Sequence, residues 1–185
     1  HSHQKLFLVN FLKINTNGKI MSWMADEYNK LTGTNQIGTF TGKPIEFGGS
    51  LGRTEATGYG LIYFAKEVMD EHDDSLEGKI CAISGSGNVA QYAIEKLIEF
   101  GAKPVTVSDS GGCIYDPNGI DTEKLEFIKE LKNERRGRIS EYADKYKGSE
   151  FHQDITPWNF KVDFAFPCAT QNELPLEDAK TLVKN

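Results

Sequence analysis

Between Gly78 and Asp109 the spacing of apolar residues changes period twice. Lys79-Ile80-Cys81-Ala82-Ile83-Ser84 is a short, mostly apolar run, the pattern of a parallel strand buried on both faces. After Gly85-Ser86-Gly87-Asn88, the residues Val89, Ala90, Ala93, Ile94, Leu97 and Ile98 recur at steps of one and three, which is one face of a helix. Gly101, just past Phe100, is the C-cap candidate. Pro104-Val105-Thr106-Val107-Ser108 then rises as a second strand, with Asp109 at its carboxyl end. Together they make one β-α-β unit.

Elsewhere the pattern predicts elements of the same kinds. Ile20, Trp23, Met24, Tyr28 and Leu31 fall close to helical spacing before the stop Thr32-Gly33-Thr34-Asn35, so a core-packing helix is expected there. Ile37 to Phe40 reads as a strand or an extended loop, and the glycine-rich stretch from Thr41 to Arg53 as a functional loop or a linker. Leu61, Phe64, Ala65, Val68 and Met69 predict a second amphipathic helix from Thr54 to about His72. At its start, Arg53, Glu55 and Thr57 either meet a ligand or serve as a cap with solvated charges. Ile114-Tyr115 is a brief strand into the turn Asp116-Pro117-Asn118-Gly119. Asp121 or Thr122 caps a helix carrying Leu125, Ile128 and Leu131; Ile139 to Tyr146 is a short helix, Val162 to Phe166 a third strand, and Leu174 to Val183 a last helix. The fold class is α/β, a Rossmann-like doubly wound and mostly parallel sheet.

Composition narrows the function. The chain of 185 residues carries 21 basic and 27 acidic side chains, a net charge of −6, so no basic surplus points to nucleic acid. No apolar run approaches the ~18 residues of a membrane span. The three cysteines, Cys81, Cys113 and Cys168, lack metal-ligand spacing and read as small buried hydrophobes in a reducing, cytoplasmic compartment. No metal site is expected.

The glycine turn carries the chemistry. Gly85 permits a tight turn, Gly87 lets the backbone approach a pyrophosphate, and Ala90, in the third small position, lets helix and strand pack closely. The free N–H groups of the helix's first turn then face the phosphates. An acidic residue about twenty positions on, here Asp109, suits the ribose 2′-hydroxyl. Lys132, Arg135, Arg136 and Arg138 are unusual in an acidic chain: they either complement a helix C-terminus or clamp a 2′-phosphate.

Three motifs carry a resemblance to a family: Gly48-Gly49-Ser50-Leu51-Gly52-Arg53-Thr54-Glu55-Ala56-Thr57-Gly58-Tyr59-Gly60, Gly85-Ser86-Gly87-Asn88-Val89-Ala90-Gln91-Tyr92-Ala93, and Pro167-Cys168-Ala169-Thr170-Gln171-Asn172. In this order they resemble the C-terminal, Rossmann-type cofactor domain of hexameric glutamate dehydrogenases, within the Glu/Leu/Phe/Val dehydrogenase family, from about Asn15 onward. The resemblance implies interconversion of glutamate and 2-oxoglutarate plus ammonia with NAD or NADP. It places Thr57 and Asn88 on the cofactor, Arg53 beside the cleft, Ser86 and Val89 on the pyrophosphate turn, and Ala169, Thr170 and Asn172 along the ribose and nicotinamide. Ser108-Asp109-Ser110 followed by Lys132, Arg135 and Arg138 is similar to the NADP-using branch, so NADP is expected ahead of NAD.

The same resemblance implies what is missing. The family's catalytic lysine lies in a separate substrate domain that has no counterpart here, and Lys13 stands where its catalytic aspartate is expected. Residues 1–14, opening His1-Ser2-His3, read as a tag-like or unmatched extension, 15–53 as a helix and glycine-rich linker toward the substrate domain, and 54–185 as a dinucleotide-binding domain cut short at its C-terminus. The expected function is the cofactor half of an oligomeric NAD(P)-dependent glutamate dehydrogenase, inactive alone. A non-catalytic nucleotide-binding or subunit-packing fragment is the alternative.

Overall fold

The computed structural model describes residues 17–184; the readings made for residues 1–14, Lys13 among them, lie outside the described residues. The chain divides into two compact units between Thr54 and Glu55.

In the first unit, α1 (Gly18–Thr32) starts at Asn17, whose Oδ1 accepts from Ile20 N at 3.0 Å, and stops at Gly33, which takes a left-handed φ of 65°. The helix forms as expected, but its buried face is narrower. Met21 and Ala25 pack with Phe40, flanked by Met24 and Tyr28, while Trp23 and Leu31 are 61% and 78% exposed. Ile37–Thr39 is a single 3-10 turn rather than a strand. The Lys43 ammonium donates to the carbonyls of Ile37 and Phe40, so those groups are satisfied without a neighbouring strand.

The second unit contains α2 (Ala56–Glu71), β1 (Ile80–Ile83), α3 (Asn88–Glu99), β2 (Lys103–Pro104), β3 (Thr106–Asp109), β4 (Gly112–Tyr115), α4 (Thr122–Lys129), α5 (Ser140–Lys145), β5 (Glu150–Gln153), β6 (Phe164–Phe166) and α6 (Leu176–Lys184). Asp121 is the α4 cap, its Oδ1 accepting from Lys124 N at 2.9 Å. On α2 Gly58 and Ile62 are buried; Leu61, Ala65 and Met69 pack against the core, but Phe64 is 71% exposed. α2 reaches α3 through Gly58, where a Cβ would lie 2.7 Å from both Tyr92 Cβ and Val89 O.

The unit is mixed α/β with one parallel sheet, but the sheet is not the mostly parallel one expected. Three strands, in the order β2-β1-β6, are parallel, and three others, β3-β4-β5, form a separate antiparallel sheet. The expected single strand over Pro104 to Ser108 is divided between them. Val105 N still donates to Cys81 O, and then the Thr106 side chain replaces the ladder: its Oγ1 accepts from Ile83 N at 2.8 Å and donates to Ile83 O at 2.9 Å. With β1 satisfied by a hydroxyl, the β3 backbone is free to pair with β4.

Candidate functional site

The carboxyl ends of β1, β3 and β6 converge at the glycine turn. Gly85 has φ 76°, a conformation suited to glycine, and its N–H donates to Ser108 Oγ at 2.8 Å while its carbonyl accepts from Ser108 N at 3.0 Å. Ser84 Oγ accepts from Cys168 N at 2.8 Å, and a Cβ on Gly85 would sit 3.1 Å from Ala169 Cα. Ala169 therefore lies directly against the turn.

Gly87 is the N-cap of α3, without a side-chain cap, and a Cβ there would meet nothing within 4 Å. Asn88 is exposed beside it, Val89 half-buried, and Ser86 and Ala90 are buried. The first turn of α3 thus presents its N–H end past an open glycine, which suits a pyrophosphate. Thr57 is exposed on the first turn of α2, one residue before the Gly58 crossing onto Val89.

Asp109 ends β3 among bonds. Its Oδ2 accepts from Lys132 Nζ at 3.1 Å and from Ile139 N at 3.0 Å, and its Oδ1 accepts from Gly111 N at 2.9 Å. Burial opposes ionisation, but the Ile139 and Gly111 N–H groups and the Lys132 ammonium outweigh it and hold the carboxyl below its ordinary value. Arg138 Nη1 donates to Ser110 Oγ at 2.7 Å. Asp109, Ser110, Lys132 and Arg138, spread over thirty positions of sequence, therefore form one cluster. Arg135 does not join it, being paired with Glu141.

A π-helical turn, Glu130–Glu134, shapes the basic segment: it continues α4 with a wider ring, closed by Arg135 N to Glu130 O at 3.1 Å. Leu131 remains fully buried, Lys132 reaches Asp109, and Asn133 reaches Gln91. Gln91, 2% exposed, was missed by the sequence reading. Its Nε2 donates to Ser86 O at 2.9 Å and to Asn133 Oδ1 at 3.2 Å, and its Oε1 accepts from Asn133 Nδ2 at 3.0 Å. The available signal was a long polar residue on the apolar face of α3, between Ala90 and Ile94.

Thr170 and Asn172 are exposed, and no hydrogen bond joins either to the glycine turn or to the Asp109 cluster. Ala169 N donates instead to Glu173 Oε1 at 2.9 Å, closing the tip of β6 on itself, and Asn172 takes φ 59°. Arg53 belongs to the other compact unit. Cys81, Cys113 and Cys168 are free thiols, each pushed up to about 12, chiefly by burial. Among the described residues no acidic, histidine and cysteine side chains gather as a metal site.

The chain is 56% identical over 172 residues to the NAD(P)-specific glutamate dehydrogenase of Xylanibacter ruminicola, covering 93% of this chain and 38% of that one. Over 172 residues it is 51% identical to the NADP-specific glutamate dehydrogenase of Haemophilus influenzae, with the same coverage. A crystal structure of Plasmodium falciparum glutamate dehydrogenase superposes with a TM-score of 0.88 at 42% identity, over 94% of this chain and 37% of that one. The chain thus spans well under half the length of these relatives. Residues 48–185 match the family described as Glutamate/Leucine/Phenylalanine/Valine dehydrogenase, and the chain belongs to that family.

Proposed function

We propose that this chain is the C-terminal, Rossmann-type cofactor part of an NAD(P)-dependent glutamate dehydrogenase, with NADP preferred. The parent enzyme would convert glutamate, water and NADP to 2-oxoglutarate, ammonia and NADPH, acting as a cytoplasmic oligomer. The observation that carries this reading is the adjacency of Ser110, Lys132 and Arg138 at the end of β3, next to a glycine turn that opens at Gly87.

The residues present fit the dinucleotide. The backbone at Gly87 and the first turn of α3 would hold the pyrophosphate, with Ser86, Asn88 and Val89 around it. Lys132, Arg138 and the Ser110 hydroxyl would take the 2′-phosphate, with Asp109 holding Lys132 in place. Thr57, Ala169, Thr170 and Asn172 would border the ribose and nicotinamide. When bound, the nicotinamide supplies hydride transfer; the protein orients it. The resemblance assigns the catalytic lysine to a separate substrate domain, so this chain alone is expected to bind the dinucleotide without turnover, and glutamate oxidation by the purified chain would overturn that.

Calorimetric titration of the purified chain with NADP and then NAD, at matched salt, tests the reading. Tighter binding of NADP, weakened in Lys132→Ala and Arg138→Ala, is the expected result; no binding of either dinucleotide by a folded chain overturns it. A subunit-packing role is the second reading, favoured by the exposed apolar residues Phe64, Leu176 and Val183. A monodisperse monomer in sedimentation would count against that second reading.

A further inference from the structure

The glycine turn and the basic turn are joined through one buried amide. Gln91 sits on α3, yet both of its donors are committed elsewhere: one to the carbonyl of Ser86 in the glycine turn, the other to Asn133 in the π-helical turn. Asn133 returns a bond to Gln91 Oε1, making a reciprocal amide pair with little freedom of orientation. The residue before Asn133 is Lys132, which bridges Asp109 Oδ2 and, at 3.0 Å, the carbonyl of Gly137. A Cβ at Gly137 would press on the Leu131 and Glu141 side chains, so this closure is tight.

We propose that Gln91 and Asn133 are a positioning pair that locks the π-helical turn to the glycine turn, so that Lys132 is presented to a 2′-phosphate and NADP is selected over NAD. The inference rests on the nucleotide reading above and adds to it the residues that act through Lys132. Gln91 acts on the turn from its inner side, through the Ser86 carbonyl, while the open side lies at Gly87. Without the pair, the wide turn can tighten to ordinary helical spacing, which rotates Lys132 about the helix axis and away from Asp109.

The test uses the whole purified chain with Gln91→Met, and with Asn133→Ala, a change on an exposed position that leaves the core intact. The ligand-free readout is the NMR titration of the Asp109 carboxyl. In both variants its midpoint is expected to move up, toward that of an ordinary aspartate, as Lys132 departs; an unchanged midpoint overturns the positioning role. The second readout is calorimetry with NADP and NAD. NADP is expected to weaken about tenfold or more, the scale of one hydrogen bond to a charged group, with NAD nearly unaffected. Equal weakening of both dinucleotides means a merely structural pair and overturns the selectivity. Wild-type chain that binds neither overturns the nucleotide reading and the selectivity with it, while the Asp109 titration still decides whether the pair positions Lys132.

Discussion

The Asp109 carboxylate and the Lys132 ammonium meet at 3.1 Å across 23 residues of sequence, and the same carboxylate oxygen accepts the Ile139 N–H. One side chain at the end of β3 thus fixes both ends of the basic segment. An aspartate in this position would repel a dianionic phosphate if it stood alone. Here its charge is offset by Lys132 and stabilised by two backbone N–H groups, so Arg138, bonded to the neutral Ser110 hydroxyl, is left as the remaining cation of the cluster.

This arrangement gives stability a pH dependence of known sign. The folded carboxyl of Asp109 lies below its ordinary value, so its stabilisation is complete above the unfolded value, about 3.9, and is lost as pH falls through the lower folded value. Asp109→Asn is expected to cost about 1.5–3 kcal/mol at pH 7, as bonds to an ionised group are replaced by neutral ones. The gap between wild type and variant should close as pH is lowered below about 4. Urea denaturation from pH 3 to 7 checks this, and a gap independent of pH would refute it.

Thr106 makes a separate prediction about the sheet. Its hydroxyl both accepts from and donates to the Ile83 backbone, and both residues are fully buried. Thr106→Val keeps the shape and leaves Ile83 N–H and C=O unpaired, at a cost of about 1–3 kcal/mol. Amide exchange at Ile83, whose N–H loses its acceptor, should accelerate more than at Ala82, its neighbour in the same β1–β6 register. Uniform acceleration along β1 would mean that the hydroxyl is not the local substitute for the ladder.

The same threonine explains what the sequence concealed. β1, α3 and the turn between them were legible because burial on both faces, a helical apolar stripe and a glycine turn are local signals, carried by Ile83, Ile94 and Gly85. The division of Pro104 to Asp109 between two sheets was not, since a buried threonine taking over a backbone ladder looks like any β-branched strand residue. β5 was missed because Glu150-Phe151-His152-Gln153 has a single apolar residue and no alternation; it is held by pairing with β4. The exposure of Phe64 and Leu31 was equally hidden, because helical spacing shows which residues share a face and not what covers that face. At the site, the basic cluster was visible as composition, while the Gln91–Asn133 pair depends on a contact across 42 residues.

Gly58 tests the packing of α2 on α3. A Cβ there would lie 2.7 Å from Tyr92 Cβ and Val89 O and 2.8 Å from Ala93 N, and two of those three atoms belong to the backbone. Gly58→Ala gains helix propensity of about 1 kcal/mol, but the clash requires the helices to separate, which costs about 1–3 kcal/mol for overpacking. The expected net effect is a lower thermal midpoint. A midpoint raised by the substitution would show that the crossing yields easily.

Gly87 separates fold from function most cleanly. Its backbone, φ −86° and ψ −163°, is open to any residue, and a Cβ would meet nothing within 4 Å. Gly87→Ala meets no clash but places alanine at the N-cap of α3, where it is disfavoured, so a loss of no more than about 1 kcal/mol of stability is expected. If the pyrophosphate approaches the backbone at this glycine, the added methyl occupies that approach, and dinucleotide binding should fall by about tenfold or more, a loss of at least about 1.4 kcal/mol. Lost binding by a variant that remains folded places the pyrophosphate at Gly87. Unchanged binding moves it elsewhere on the turn, since a protein that tolerates the methyl would show that no ligand competes for the same space.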